Sequence, residues 1–138
     1  MNSPMPFGVI AAGIAALIGV TGVALAQTGN FSGTWDTNMG RMRIEQYAGR
    51  ASGEYEMKDG HVRGHIDGRT FEGIWTQARA DRRCFEERMG SEYWGRFRLH
   101  LSRDGDRLHG SWSYCNDEPG SGGDWHGERI TWHPHPHD

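Results

Sequence analysis

Eight histidines stand in this 138-residue chain, and three of them, His133, His135 and His137, alternate with proline in the tail. Neutral imidazole is a good ligand for zinc, copper or nickel, so this tail, with His126 nearby, is the candidate metal site. Pro134 and Pro136 hold the segment extended, which spreads the three rings instead of converging them. No carboxylate or thiolate partner completes a ligand set, so the expectation is weak adventitious binding and no functional metal or other cofactor. Catalytic chemistry has little to rest on. Asp36, Glu45, Glu72, Asp124 and Glu128 are scattered, with no nucleophile–base motif and no paired acids at a recognisable spacing. His126 and Glu128, two residues apart, share a strand face, and a hydrolase or metal-dependent enzyme would have to be built on them. The chain reads as a non-enzyme.

Cys84 and Cys115 are the two cysteines, an even pair that favours a disulfide in an exported protein. Closing a loop of about 30 residues contributes roughly 3–4 kcal/mol. That is a large share of the roughly 5–10 kcal/mol available to a small domain.

Binding chemistry is better represented. Trp35, Tyr55, Trp75, Phe97, Trp112 and Trp125 fall at positions that face one side of successive strands. Aromatic walls suit sugars, rings and flat molecules, and Thr37 and Asn38 add polar groups at the end of the first strand. In a narrow barrel the same aromatics can also fill the interior and leave no pocket.

These side chains must be positioned by strands. Seven times the chain places glycine two residues from an apolar or aromatic residue on each side. The copies centre on Gly33, Gly53, Gly64, Gly73, Gly95, Gly110 and, less regularly, Gly127. Residues i, i+2 and i+4 of a strand share a face, so each glycine points inward with its flanking residues. Repeated glycine on the buried face marks a sheet that bends sharply or approaches a neighbour closely. Turn residues divide the chain into eight strands near 31–37, 41–46, 51–57, 62–66, 70–77, 92–102, 107–114 and 124–132. Lys58-Asp59-Gly60-His61 reads as a tight hairpin in which Asp-Gly supplies the positive φ angles. Segment 78–91, rich in charge, is a long loop or one short helix, and 115–123 is irregular. The class is all-β: a small antiparallel meander of about eight strands closed as an up-and-down barrel, with a two-sheet sandwich as the alternative. Closure also removes the edges of an open sheet.

Gly33-Thr34-Trp35 on the first strand resembles the Gly-x-Trp signature of the calycin barrels, the lipocalins and avidins. Trp125 and Arg129 on the last strand, and Gly53-Glu54-Tyr55 on the third, are similar to segments of avidin-type chains. The resemblance implies a barrel closed at one end by an arginine packed across the first tryptophan, here Arg129 across Trp35. It also implies a pocket at the mouth, since Tyr55 and Trp125 match positions that line it in avidins. Two positions depart from the family. Thr37 replaces an Asn and Arg41 replaces a small hydroxyl residue, and these positions hold the ureido group of biotin in that family.

Residues 1–26 stand apart from the repeat. Phe7 to Ala26 is uncharged, and Ala24 and Ala26 fit the A-x-A recognition of a signal peptidase, so cleavage is expected after Ala26. No Lys or Arg precedes Arg41, and an uncleaved anchor is the alternative, because about 20 apolar residues span a bilayer. No cysteine sits at the boundary for lipid attachment. The barrel is then expected at 27–132, with a His/Pro tail at 133–138, in a periplasmic or secreted protein. A formal charge of −3 gives no nucleic-acid footprint. Fourteen arginines against one lysine, alternating with acids, read as a salt-bridged outer face. Trp94 alternates with Arg96, Arg98 and His100, and so faces outward. It is either a protein-partner contact or, the preferred reading, a residue covered by the 78–91 loop.

Three functional readings follow. The preferred one is an exported barrel holding a small ligand at its mouth through Trp35, Thr37, Asn38, Tyr55, Trp75, Trp112 and Trp125. The second is a structural or interaction module of an envelope assembly with a filled core. The third is an enzyme on the same barrel.

Overall fold

The computed structural model describes residues 29–131. The expected leader, 1–26, and the tail histidines His133, His135 and His137 lie outside the described residues. Eight strands follow in chain order: β1 Gly33–Thr37, β2 Gly40–Tyr47, β3 Arg50–Tyr55, β4 Gly60–Asp67, β5 Thr70–Thr76, β6 Trp94–Leu101, β7 Arg107–Trp112 and β8 Gly123–Arg129. Each pairs antiparallel with the next, and β1 closes on β8 through Trp35↔Arg129 and Thr37↔Gly127. The molecule is therefore one closed barrel and not a sandwich.

Alternation produces the strands as expected. On β2, Met42 and Ile44 are buried while Arg41, Arg43 and Glu45 face solvent. On β6, Phe97, Leu99 and Leu101 point in, and Arg96, Arg98 and His100 are partly exposed on the outside. The inward side chains make one core: Phe31, Trp35, Ile44, Phe71, Phe97, Leu99 and Trp125 are all essentially inaccessible. Phe71 meets Phe31 and Phe97 edge to face at 5.6 and 4.8 Å, a preferred aromatic geometry.

The inward glycines explain the curl. Gly64 and Gly73 are direct cross-strand partners on β4 and β5. A Cβ on Gly64 would collide with the Glu72 carbonyl, and one on Gly73 with the Arg63 carbonyl. The sheet folds so tightly there that a neighbour's backbone occupies the space a side chain would need. Gly53, Gly95 and Gly110 sit against carbonyls of adjoining segments in the same way.

The turn between β3 and β4 differs from expectation. Lys58 and Asp59, not Asp59 and Gly60, take the positive φ angles, 50° and 54°. Gly60 is extended, with φ −74°, and begins β4. Its glycine is needed for another reason: the Tyr55 ring lies where a Cβ would be. Segment 78–91 forms no helix; its only regular feature is an isolated bridge between Arg88 and Ser91.

Candidate functional site

An up-and-down meander sends alternate turns to opposite ends. At one end lie the 29–32 segment and the turns after β2, β4 and β6. Here Trp35 is fully buried and its indole N–H donates to the Phe31 carbonyl at 3.0 Å. The Arg129 guanidinium stacks on the Trp35 ring, 4.3 Å from its centroid. It donates to the carbonyls of Ser32 (2.6 Å), Asn30 (2.9 Å) and Gly105 (3.0 Å). One side chain thus ties the segment before β1, the β6–β7 turn and the end of β8 across the barrel floor.

At the other end, the short turns after β1 and β3 meet the two long loops after β5 and β7. Between them lies a cavity of about 230 Å³ lined by Met39, Tyr55, Met57, Lys58, Trp75, Gln77, Ala80, Asp81, Trp112, Tyr114 and Trp125. Four expected site residues, Tyr55, Trp75, Trp112 and Trp125, converge here. Three do not. Trp35 belongs to the opposite end, under Arg129. Thr37 is spent on its own turn: its hydroxyl donates to the Gly40 carbonyl at 2.6 Å and accepts from the Met39 N–H at 3.0 Å. Asn38 ties that turn to β8, donating to the Asp124 carbonyl and accepting from the His126 N–H, both at 2.9 Å. A hairpin turn has backbone groups to satisfy, and these polar side chains are used locally for it.

The cavity walls are packed edge to face. Trp112 meets Trp75 at 5.8 Å and Tyr114 at 5.0 Å, while Tyr55 meets Trp125 at 5.0 Å. Trp75 donates its indole N–H to the Ser113 carbonyl at 3.0 Å. The indole N–H groups of Trp112 and Trp125 are buried and have no hydrogen-bond partner among the described residues. Leaving a donor unmet costs about 1–3 kcal/mol. The Tyr55 hydroxyl accepts from the Gln77 amide at 3.0 Å. Burial pushes the Tyr55 phenol well above its ordinary range, against the smaller opposing effect of Gln77, so it stays protonated.

Both long loops are held in place by a disulfide between Cys84 and Cys115, with Cα atoms 5.6 Å apart. This bond suggests a non-cytoplasmic environment. Trp94 faces away from the barrel, as its alternation requires, yet is only 3% exposed. The 78–91 loop folds over it: the indole N–H donates to the Glu86 carbonyl at 2.8 Å, and the Arg88 guanidinium lies 4.7 Å from the ring centroid. Of the two readings of Trp94, the preferred one, cover by the 78–91 loop, is what the structure shows. Arg96 and Arg98 pair with Glu118 (3.2 Å) and Glu72 (2.8 Å) on the outer surface. Arg98, through its hydrogen bond, holds the Glu72 carboxyl below its ordinary value. His126 and Glu128 share the outer face of β8, both exposed, and the described residues contain no metal-binding group of three or more side chains.

Met39, Met57, Lys58, Gln77 and Tyr114 escaped the sequence reading although a signal existed. In a meander the turns after β1, β3, β5 and β7 share one end, so residues beside those turns are rim candidates. Ala80 and Asp81 had no such signal, because an irregular loop has no period.

Comparison with protein-family models finds no match, and comparison with curated proteins and with solved structures finds none either. The fold and its cavity are therefore the basis of any functional reading.

Proposed function

We propose that this chain is an exported, calycin-like binding protein that holds a small molecule in the cavity at its open mouth. One observation carries the reading: the two ends of the barrel are built oppositely. The floor is plugged by Phe31, Trp35 and Arg129, whereas the mouth keeps about 230 Å³ free between five aromatic rings. Filling that space with side chains would have been the stabilising choice in a domain this small, since a void forfeits dispersion contacts. A concave, mostly apolar site with a few convergent polar groups is the usual form of a ligand pocket. The Trp35–Arg129 clasp supports the calycin-like part of the reading, and the leader at 1–26 with the disulfide supports export. The reading assigns the protein no catalytic step.

The test is a fragment screen on methyl-labelled protein, following the Met39 and Met57 methyl signals. Ligands should shift both while leaving Met89, which lies on the outer surface beside Arg63 and outside the cavity lining, unmoved. A library of ring-sized fragments that moves neither signal would overturn the reading.

A second reading is favoured by one surface feature. Phe85 is fully exposed beside the disulfide, flanked by Arg82, Arg83, Glu86 and Glu87. Exposed aromatics beside charge are typical anchors of protein interfaces. As an interaction module, the chain would capture an envelope partner that Phe85→Ala releases; equal recovery by both proteins would remove this reading.

A further inference from the structure

We propose that the mouth cavity takes a small zwitterion bearing a single flat ring, of aromatic α-amino acid chemistry, with its carboxylate on Lys58 and its ammonium on Asp81. The proposal rests on the ligand-binding reading above and names the ligand class. Three observations converge on it.

The first is size. The cavity of about 230 Å³ lies below the roughly 300–1,000 Å³ of clefts that hold drug-sized molecules. One ring with a short arm is the right scale; a fused polycycle or a long acyl chain is not.

The second is the wall. Tyr55, Trp75, Trp112, Tyr114 and Trp125 line the cavity, Tyr114 with the Arg82 guanidinium over one face at 5.2 Å, and Met39 and Met57 add adaptable thioether surface. A flat ring finds edge-to-face partners there, and an ammonium group near the rim gains from the negative ring faces.

The third is charge. Lys58 is the chain's one lysine among fifteen basic residues, and it stands on the cavity rim with Asp81. Neither makes an ion pair, with each other or with any other charge, among the described residues. Their neighbours behave differently: Arg82 pairs with Asp117 and Arg83 with Glu92, each at 3.7 Å. The rim segments are also fixed to each other. Lys58 sits in a turn with φ 50°, and its carbonyl accepts the Ala78 N–H at 2.9 Å, which docks the turn against the start of the loop that carries Asp81. Two uncommitted charges of opposite sign on one aromatic mouth complement a ligand carrying both. An anion or a cation alone would satisfy one rim group and approach the like charge of the other.

Calorimetric titration of the full, disulfide-bonded chain tests this with four probes sharing one ring. These are phenylalanine, 3-phenylpropionate (no ammonium), phenethylamine (no carboxylate) and benzyl alcohol (no charge). Exposed ion pairs contribute about 0.2–1 kcal/mol each, so phenylalanine should bind up to about fivefold more tightly than either single-charge probe. Lys58→Gln should weaken phenylalanine and 3-phenylpropionate by about two- to fivefold and leave phenethylamine unweakened; Asp81→Asn should do the reverse. If benzyl alcohol or a single-charge probe binds as tightly as phenylalanine, the zwitterion is wrong while the binding cavity stands. Ratios left unchanged by both variants would exclude the zwitterion in the same way. If none of the four binds, the proposal falls, and the fragment screen decides whether the binding reading falls with it.

Discussion

Replacing both cysteines, Cys84→Ala with Cys115→Ala, isolates what the cross-link does for this fold. The bond closes a loop of 31 residues by sequence separation. In the chain-entropy account, the denatured state loses about 2.1 + 1.5R ln n cal/mol/K, which for this loop comes to about 3.7 kcal/mol at 25 °C. With a urea m-value of about 1.5 kcal/mol per molar, the unfolding midpoint should fall by about 2.5 M. The mechanism also fixes a second observable. A denatured chain freed of its cross-link exposes more surface, so the m-value of the double variant should rise. Equilibrium urea unfolding of the oxidised protein and the variant, followed by tryptophan fluorescence, measures both quantities. A midpoint shift below about 0.7 M, or an unchanged m-value, would refute the argument that the bond acts on the unfolded chain. The consequence reaches the site as well. Cys84 and Cys115 lie in the two loops that supply Ala80, Asp81 and Tyr114 to the cavity, so the variant should also lose affinity for any mouth ligand.

Removing the floor clasp with Arg129→Met deletes three hydrogen bonds from a charged donor and a stacking contact on Trp35. A loss of about 2–4 kcal/mol is expected, with Arg129→Lys recovering less than half, because an ammonium lacks the planar fork; thermal unfolding of the two variants checks this. Gly64→Ala places a methyl against the Glu72 carbonyl and should cost more than about 2 kcal/mol, whereas Gly49→Ala meets nothing within 4 Å and should be nearly neutral. Similar denaturation midpoints for these two variants would disprove the curl argument. Glu72 titrates below its ordinary value in the folded chain, so its contribution is present above the unfolded carboxylate pKa, about 4.3, and is lost as pH falls through the lower folded value. NMR titration should show the Glu72 pKa returning toward that ordinary value in Arg98→Met, with a shallower acid-side loss of stability.

Much of the fold is legible in residue order because strand signals are local. Met42 and Ile44 against Arg41, Arg43 and Glu45 set a period of two that needs no knowledge of the rest of the chain. The strand ends are less legible. Phe31 and Ser32 continue the pattern of β1, but they leave the sheet to meet Gln46 and Arg129, so β1 begins at Gly33. The candidate site is legible in half. Tyr55, Trp75, Trp112 and Trp125 are inward residues near mouth-side turns, whereas Trp35 is inward with the same local pattern but lies at the closed end. Inwardness is a property of the strand; depth along the barrel axis is a property of the register between strands.

Composition and periodicity by themselves determined an all-β chain of eight strands, a glycine-thinned inner face and the paired cysteines. Each of these depends on neighbours within a few residues or on a simple count. Only the tertiary structure decided which indole N–H groups are met. Trp75 reaches a carbonyl 38 residues away, and Trp112 and Trp125 reach none among the described residues. Only there did Thr37 and Asn38 prove committed to a turn, Trp94 prove covered, and Lys58 and Asp81 prove to share a rim. Such facts depend on where irregular loops return to the barrel. A loop path is set by non-local contacts and a disulfide, and these leave no period in the chain to read.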